Sequence, residues 1–181
     1  MRHAGGSTRR QRGVTLIEAT VVLAVTAITA GAVAPGLRGF IEKHELEGAA
    51  SQLASDLQFA RAEAVWRNTG LRLSLQSQSW GACYVVHTGA AGQCRCRESG
   101  PAQCDGDAVE LKTVQLPAAD HVALVANVSS ILFDPLHGTS SPTATFGLST
   151  PSGRAVNQVV NLMGRVRTCS PRGSVPGLPV C

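Results

Sequence analysis

Two different periods divide the chain. From Val14 to Leu37 the residues are apolar or small almost without interruption, and Glu18 is the one charge before Arg38. A run of about 20 such residues is long enough to cross a bilayer as a helix. Pro35-Gly36 lies near its outer end, where the missing proline donor predicts a kink. Beyond it Leu46, Ala49, Ala50, Leu53, Leu57, Ala60 and Ala64 recur at steps of three and four. Glu42, Lys43, Glu45, Glu47, Asp56 and Arg61 fall mostly off that stripe. The pattern predicts one long helix from Val14 to about Arg67, amphipathic in its outer half. Asn68-Thr69-Gly70 is expected to end it, with the glycine as cap.

After Gly70 the period becomes two. Leu71-Arg72-Leu73-Ser74-Leu75-Gln76 alternates as a strand with one buried face. Further strands are predicted over Cys83 to Val86, Val109 to Leu116, His121 to Val128, Ile131 to Phe133, Thr143 to Leu148 and Val156 to Met163. Gly, Pro and Ser turns separate them. Residues Gly89 to Asp107 are rich in cysteine, glycine and charge, and read as a stapled surface loop rather than sheet.

Composition refines this picture. The chain has 181 residues, 44% hydrophobic but only 4% aromatic, so its core is built from aliphatics and alanine. Of its sixteen basic side chains, Arg2, Arg9, Arg10 and Arg12 precede Val14; the remaining twelve match the twelve acids. Overall basicity is therefore no argument for nucleic acid. The last acid is Asp134, which leaves Arg154, Arg165, Arg167 and Arg172 on a locally basic C-terminal quarter. The six cysteines, Cys83, Cys94, Cys96, Cys104, Cys169 and Cys181, all lie beyond the apolar segment. An even set there reads as disulfides in an oxidising compartment, with the pairing left open. Zinc is the rival, but Cys94-Arg95-Cys96 is tighter than the usual ligand pair.

Glu18 needs a reason, because a carboxylate inside an apolar run is costly. A cleaved secretory signal fits the small-x-small patterns Ala30-Gly31-Ala32 and Ala32-Val33-Ala34, with Arg9-Arg10 as a twin-arginine candidate. A plain membrane anchor fits the length. Neither explains the glutamate. Gly13-Val14-Thr15-Leu16-Ile17-Glu18 resembles the prepilin cleavage motif of type IV pilins and type II secretion pseudopilins. The resemblance implies that a prepilin peptidase cuts after Gly13 and methylates Val14, although the family usually has Phe at that first position. It matches Glu18 and Pro35 to the family's glutamate and proline. The physical logic stands beside the resemblance. Cutting at Gly13 creates an ammonium in an apolar setting, and a carboxylate from a neighbouring helix neutralises it and sets axial register.

Ala54 to Asn68, "ASDLQFARAEAVWRN", followed by a strand and Trp80-Gly81, is similar to the minor pseudopilin family GspH/FimT. Its pattern falls on Leu57, Ala60, Arg61, Glu63, Ala64, Arg67 and Asn68, and its closing motif on Gly164, Arg165 and Arg167. Arg61 and Glu63 read as a solvated or sheet-pinned helix face, with Glu63 and Arg67 as an i,i+4 pair. Arg165 and Arg167 at i and i+2 of an extended strand point the same way, roughly 6.5–7 Å apart. Guanidinium groups so spaced suit phosphates, and Gly164 permits the turn that presents them. The resemblance associates this motif with DNA capture in natural transformation; Arg154 and Arg172 are candidates to enlarge the patch. The competing reading is a solvated or subunit-contacting hairpin.

Enzyme signatures are lacking. His44-Glu45-Leu46-Glu47-Gly48 has no second histidine for zinc-protease chemistry, and Asp105-Gly106-Asp107 with Glu110 is short of a calcium loop. No cofactor, metal or catalytic residue is expected. The expected fold is α+β and type IV pilin-like: a long N-terminal helical spine on an antiparallel β-rich head. The expected segments are a basic leader 1–13, a transmembrane helix 14–36, an amphipathic helix 37–68, and a head 69–181 with a disulfide loop 83–104. The resemblance implies a minor subunit of a secretion or pilus filament in the inner membrane, N-terminus cytoplasmic and head periplasmic. Its partners would be other pilins or pseudopilins, the peptidase and the membrane; DNA and a free secreted domain are the alternatives.

Overall fold

The computed structural model describes residues 13–181, and the side chains within that range other than those of 32–38. The leader arginines and the Pro35 side chain lie outside the described residues. The chain divides into two compact units, Met1–Arg38 and Gly39–Cys181. Helix α1 (Leu16–Trp66) contributes residues to both, and is helical at Pro35 as elsewhere. Among the described residues no helix is long and apolar enough to cross a membrane.

In the first unit, threonines are compatible with an apolar helix because their hydroxyls bond backward. Thr20 donates to the Ile17 carbonyl at 2.8 Å, Thr26 to Val22 at 2.7 Å and Thr29 to Val25 at 2.9 Å.

The second unit is an antiparallel β head on the outer part of α1. One sheet has five strands: β1 (Leu71–Gln78), β2 (Gly81–Thr88), β5 (Glu110–Pro117), β7 (Ser130–Phe133) and β8 (Ser140–Ser141), in the order β5-β2-β1-β7-β8. The other has four: β6 (Ala123–Ala126), β9 (Ala144–Ser149), β10 (Ala155–Val160) and β11 (Val166–Cys169), in the order β11-β10-β9-β6. Leu46, Ala50, Leu53, Leu57, Ala60 and Ala64 of the predicted stripe are buried in one core with Leu73, Tyr84, Phe133, Phe146, Leu148 and Val156. The buried and exposed faces of the helix thus alternate along the same stretch of sequence at its 3–4 period.

Two expectations are corrected. Gly70 does not cap α1. Asn68 takes the left-handed conformation at φ 48°, Thr69 N–H donates to the Ala64 carbonyl at 3.1 Å, and Asn68 N–H donates to Val65 at 3.2 Å. This pair of bonds is a Schellman motif, and asparagine tolerates the left-handed position that usually calls for glycine. The cysteine loop is not free of sheet: β3 (Cys94–Arg95) pairs with β4 (Gln103–Cys104) as a short ribbon. The disulfides are Cys83–Cys96, Cys94–Cys104 and Cys169–Cys181, so no cysteine remains as a thiolate for zinc. The first two fold the loop onto β2, burying Cys83, Val85 and Cys94 with Trp80 and Ala108. Gln76 completes the cover, donating to the Cys94 carbonyl at 2.6 Å and accepting from Cys96 N–H at 2.9 Å.

Polar groups are buried where they are satisfied. The Asp56 carboxylate, 3% exposed, accepts from Lys112 Nζ at 2.6 Å. It also accepts from the Tyr84 hydroxyl at 2.8 Å and Gln52 at 3.1 Å. Burial first, then the Asp56 charge and hydrogen bond, raise the Tyr84 hydroxyl far above its usual titration. Gln158, also buried, donates to the Ala50 carbonyl at 2.9 Å. Buried His87 donates from Nδ1 to the Thr88 carbonyl at 2.7 Å and accepts at Nε2 from Ser74 Oγ at 2.9 Å. Its pKa is lowered mainly by burial, with Arg72 adding to the effect and the Thr88 carbonyl opposing it.

Asp56→Ala should cost about 2–4 kcal/mol, since it leaves Tyr84 and Lys112 without their acceptor. Tyr84→Phe should cost about 1 kcal/mol, and the double variant less than the sum; urea midpoints measure all three. Protonating His87 favours the unfolded chain, whose histidine titrates at its ordinary value. Its contribution is therefore full above about pH 6.5 and lost as pH falls below that. His87→Gln should flatten the slope of stability between pH 7 and 5, whatever it does to stability at pH 7.

Candidate functional site

The sequence motifs fall in two places, one in each unit. At the start of α1 Thr15 is the cap. Its Oγ1 accepts from Glu18 N–H at 3.3 Å, and its carbonyl accepts from Ala19 N–H at 3.1 Å. Glu18 therefore stands three residues after a capping threonine, the spacing of a capping box. It also lies in the first helical turn, where the exposed amides favour an anion. This local role was legible in Thr-x-x-Glu and does not by itself require a carboxylate, because glutamine serves the same position. Gly13, Val14 and Glu18 are all exposed in the isolated chain.

In the head, Gly164-Arg165-Val166-Arg167 forms the turn between β10 and β11 and the start of β11. Gly164 N–H donates to the Asn161 carbonyl at 2.8 Å, and Asn161 Oδ1 accepts from Arg165 N–H at 2.9 Å. Gly164 has φ 70°, and a Cβ there would run into the Gly138 carbonyl oxygen and lie 2.9 Å from Arg61 Nε. Both facts require glycine. Arg61 explains the crowding. From α1 its Nε donates to the Gly138 carbonyl at 2.9 Å, across 77 residues of chain. Ser140 Oγ donates to the Asn161 carbonyl at 2.6 Å, which ties the 134–140 loop to the same turn. The helix motif and the closing motif are thus two halves of one junction. Arg61 is pinned to the sheet, while Glu63 and Arg67 pair at 2.6 Å beside it.

That junction aims the arginines. Val166 is half-buried against the core, while Arg165 and Arg167 on either side of it are exposed. Among the described residues neither is in an ion pair. A hollow of about 610 Å³ beside Arg165 is lined by Arg61, Val65, Leu136, His137 and Gly138. The structure does not bring Arg154 to this patch. It precedes β10 at the end away from the turn, roughly 20 Å along the strand. Its Nη1 donates to the Gly39 carbonyl at 2.7 Å. Arg172 is exposed, in a 3-10 turn (Pro171–Gly173) that follows β11 at that same far end. Sequence reasoning did not find the Asp56 cluster or the His87–Ser74 pair. The one available signal was an aspartate adjoining Leu57 of the apolar stripe.

Comparison with known proteins covers the N-terminal motif and the head as far as Gly164. Residues 49–164 match the family described as type II transport protein GspH, and residues 8–34 match the prokaryotic N-terminal methylation motif. No curated protein matches the chain significantly. Among solved structures, the type IV minor pilin FimU of Pseudomonas aeruginosa is similar in fold. Its crystal structure aligns at 21% identity and a TM-score of 0.51 over 75% of this chain and 99% of that one. A second crystal form of FimU aligns at 19% identity and 0.48, over 72% and 100%. The helix followed by antiparallel sheets is the type IV pilin fold, and the match across most of the head makes the chain a member of the GspH family of minor pilin-like proteins.

Proposed function

We propose that the chain is a non-catalytic minor subunit of an envelope filament of the type II secretion or type IV pilus kind, acting in filament assembly and secretion. One observation carries this reading: a methylation motif over residues 8–34 and a GspH head over residues 49–164 occur in the same chain. A peptidase cut after Gly13 leaves Val14 as the new terminus, one residue before the helix cap. The apolar helix then holds the chain in the inner membrane, with the arginine-rich leader on the cytoplasmic side and the head outside. The three disulfides agree with an oxidising periplasm. In the filament, the Glu18 carboxylate of one subunit pairs with the Val14 ammonium of the next.

A second reading has its own observation. Arg165 and Arg167 are exposed on a turn held rigid by Arg61 and Gly164, which is the presentation a phosphate backbone needs. DNA uptake is the activity this favours. With no aromatic side chain among residues 161–169, contact would be to phosphate rather than to stacked bases.

Glu18→Gln keeps the capping geometry but removes the charge, so it separates the two roles of this residue. It should leave cleavage at Gly13 intact and abolish incorporation into filaments, scored by N-terminal sequencing and by recovery of sheared filaments. Normal incorporation of the glutamine variant would sink the charge-pairing role. For the second reading, DNA affinity of the full chain in detergent should fall with salt. Arg165→Ala/Arg167→Ala should lower the log–log slope by up to about two. No binding at low salt would leave the arginines as subunit contacts.

A further inference from the structure

A groove on the other side of α1 from the arginine turn has no role so far. Its cavity is about 390 Å³, and it lies between α1 and both sheets. The walls are apolar, from Leu53, Leu116, Val122 and Leu124, and the rim carries Glu45 and Asp120 with no basic residue opposite them. Glu45 is half-buried, but its Oε2 is shielded from water and, among the described residues, has no hydrogen-bond partner; Glu42 Oε2 is in the same condition but does not line the groove. A carboxylate oxygen shielded from water and left unpaired is unfavourable until a donor reaches it. Gly48 lines the same groove from the middle of the helix. It has ordinary helical backbone, and a Cβ there would meet nothing within 4 Å. Glycine inside a helix weakens it relative to alanine, and among the described residues nothing calls for one here. An open notch in the helix beside an unpaired acid is what a side chain arriving from outside would need.

We propose that this groove seats a basic side chain, lysine or arginine, from a neighbouring subunit of the filament. Its methylenes lie along the apolar walls, and its head group meets Glu45 with Asp120 at the rim. Gly48 leaves room for the incoming backbone. The identity of the partner rests on the filament reading above. The pairing of a shielded carboxylate oxygen with an unfilled helix notch does not.

The test uses full-length chain in cells that assemble the filament, with a photo-reactive residue at exposed Ala119 beside the rim. The expected adduct joins Ala119 to a lysine- or arginine-containing segment of a different filament subunit. Glu45→Gln and Gly48→Leu should each lower its yield by about tenfold, the first by removing the charge and the second by filling the notch. Neither should lower the melting temperature, and Gly48→Leu should raise it, since leucine is the better helix former. An adduct unchanged in both variants overturns the proposal. So does one to lipid, to a second copy of this chain, or to a segment without a basic residue. Cleavage at Gly13 and filament recovery are scored in the same cells. Normal recovery without the adduct overturns the groove alone, while a wild-type chain absent from filaments overturns the filament reading and this partner with it.

Discussion

A strand that is apolar on both faces has to be covered twice. That constraint organises the head. From Ala82 to His87 every residue of β2 is buried. Tyr84 and Val86 face the core that α1 closes, while Cys83 and Val85 face the loop closed by disulfides. The helix supplies its cover through regular periodicity. The loop has little apolar content, so covalent bonds hold it in place where burial alone would not. Reduction would therefore act on the far face of β2, leaving the face under α1 to ordinary packing.

The second organising contact is Arg61. One guanidinium hydrogen bond to the Gly138 carbonyl brings together α1, the 134–140 loop and the β10–β11 turn. Two glycines with positive φ make room for it. Of the two sequence readings of Arg61, solvated or pinned to the sheet, the second describes it, and the side chain is half-buried. The arginines that remain free, Arg165 and Arg167, owe their direction to it. Gly164, which the fold requires, and the exposed Arg165 and Arg167 lie within three positions of chain.

Much of this was legible in the sequence. The 3-4 spacing of Leu46, Ala50, Leu53, Leu57, Ala60 and Ala64 predicted the buried helix face, because helix geometry alone determines which residues line up. Alternation from Leu71 predicted β1 for the same reason. The cap was misread because Asn68 and Gly70 both suit a left-handed residue, and only the count of carbonyls left by the last turn decides between them. The ribbon of β3 and β4 was missed because two-residue strands carry no period. Arg154 looked like part of a basic patch until strand length put it at the other end of the hairpin. The Asp56 and His87 clusters were invisible for a different reason: their partners lie 28 and 13 residues away, and a buried polar group is recognised by its partner rather than by its neighbours in sequence.

The Gln158 bond to Ala50 spans 108 residues, and the Arg154 bond to Gly39 spans 115. These lengths bear on the order in which a chain can fold as it emerges. The hairpin of β1 and β2 closes early, because its residues are close in sequence. The flank of the helix facing β10 has no partner until residues 156–175 are out, and Val175 joins the core later than anything else buried there. Until that segment pairs, this side of the helix has no cover, and loop closure over such distances is slow. The strand that completes this side of the head is far from the helix in sequence, and an apolar helix face still waiting for it is open to aggregation.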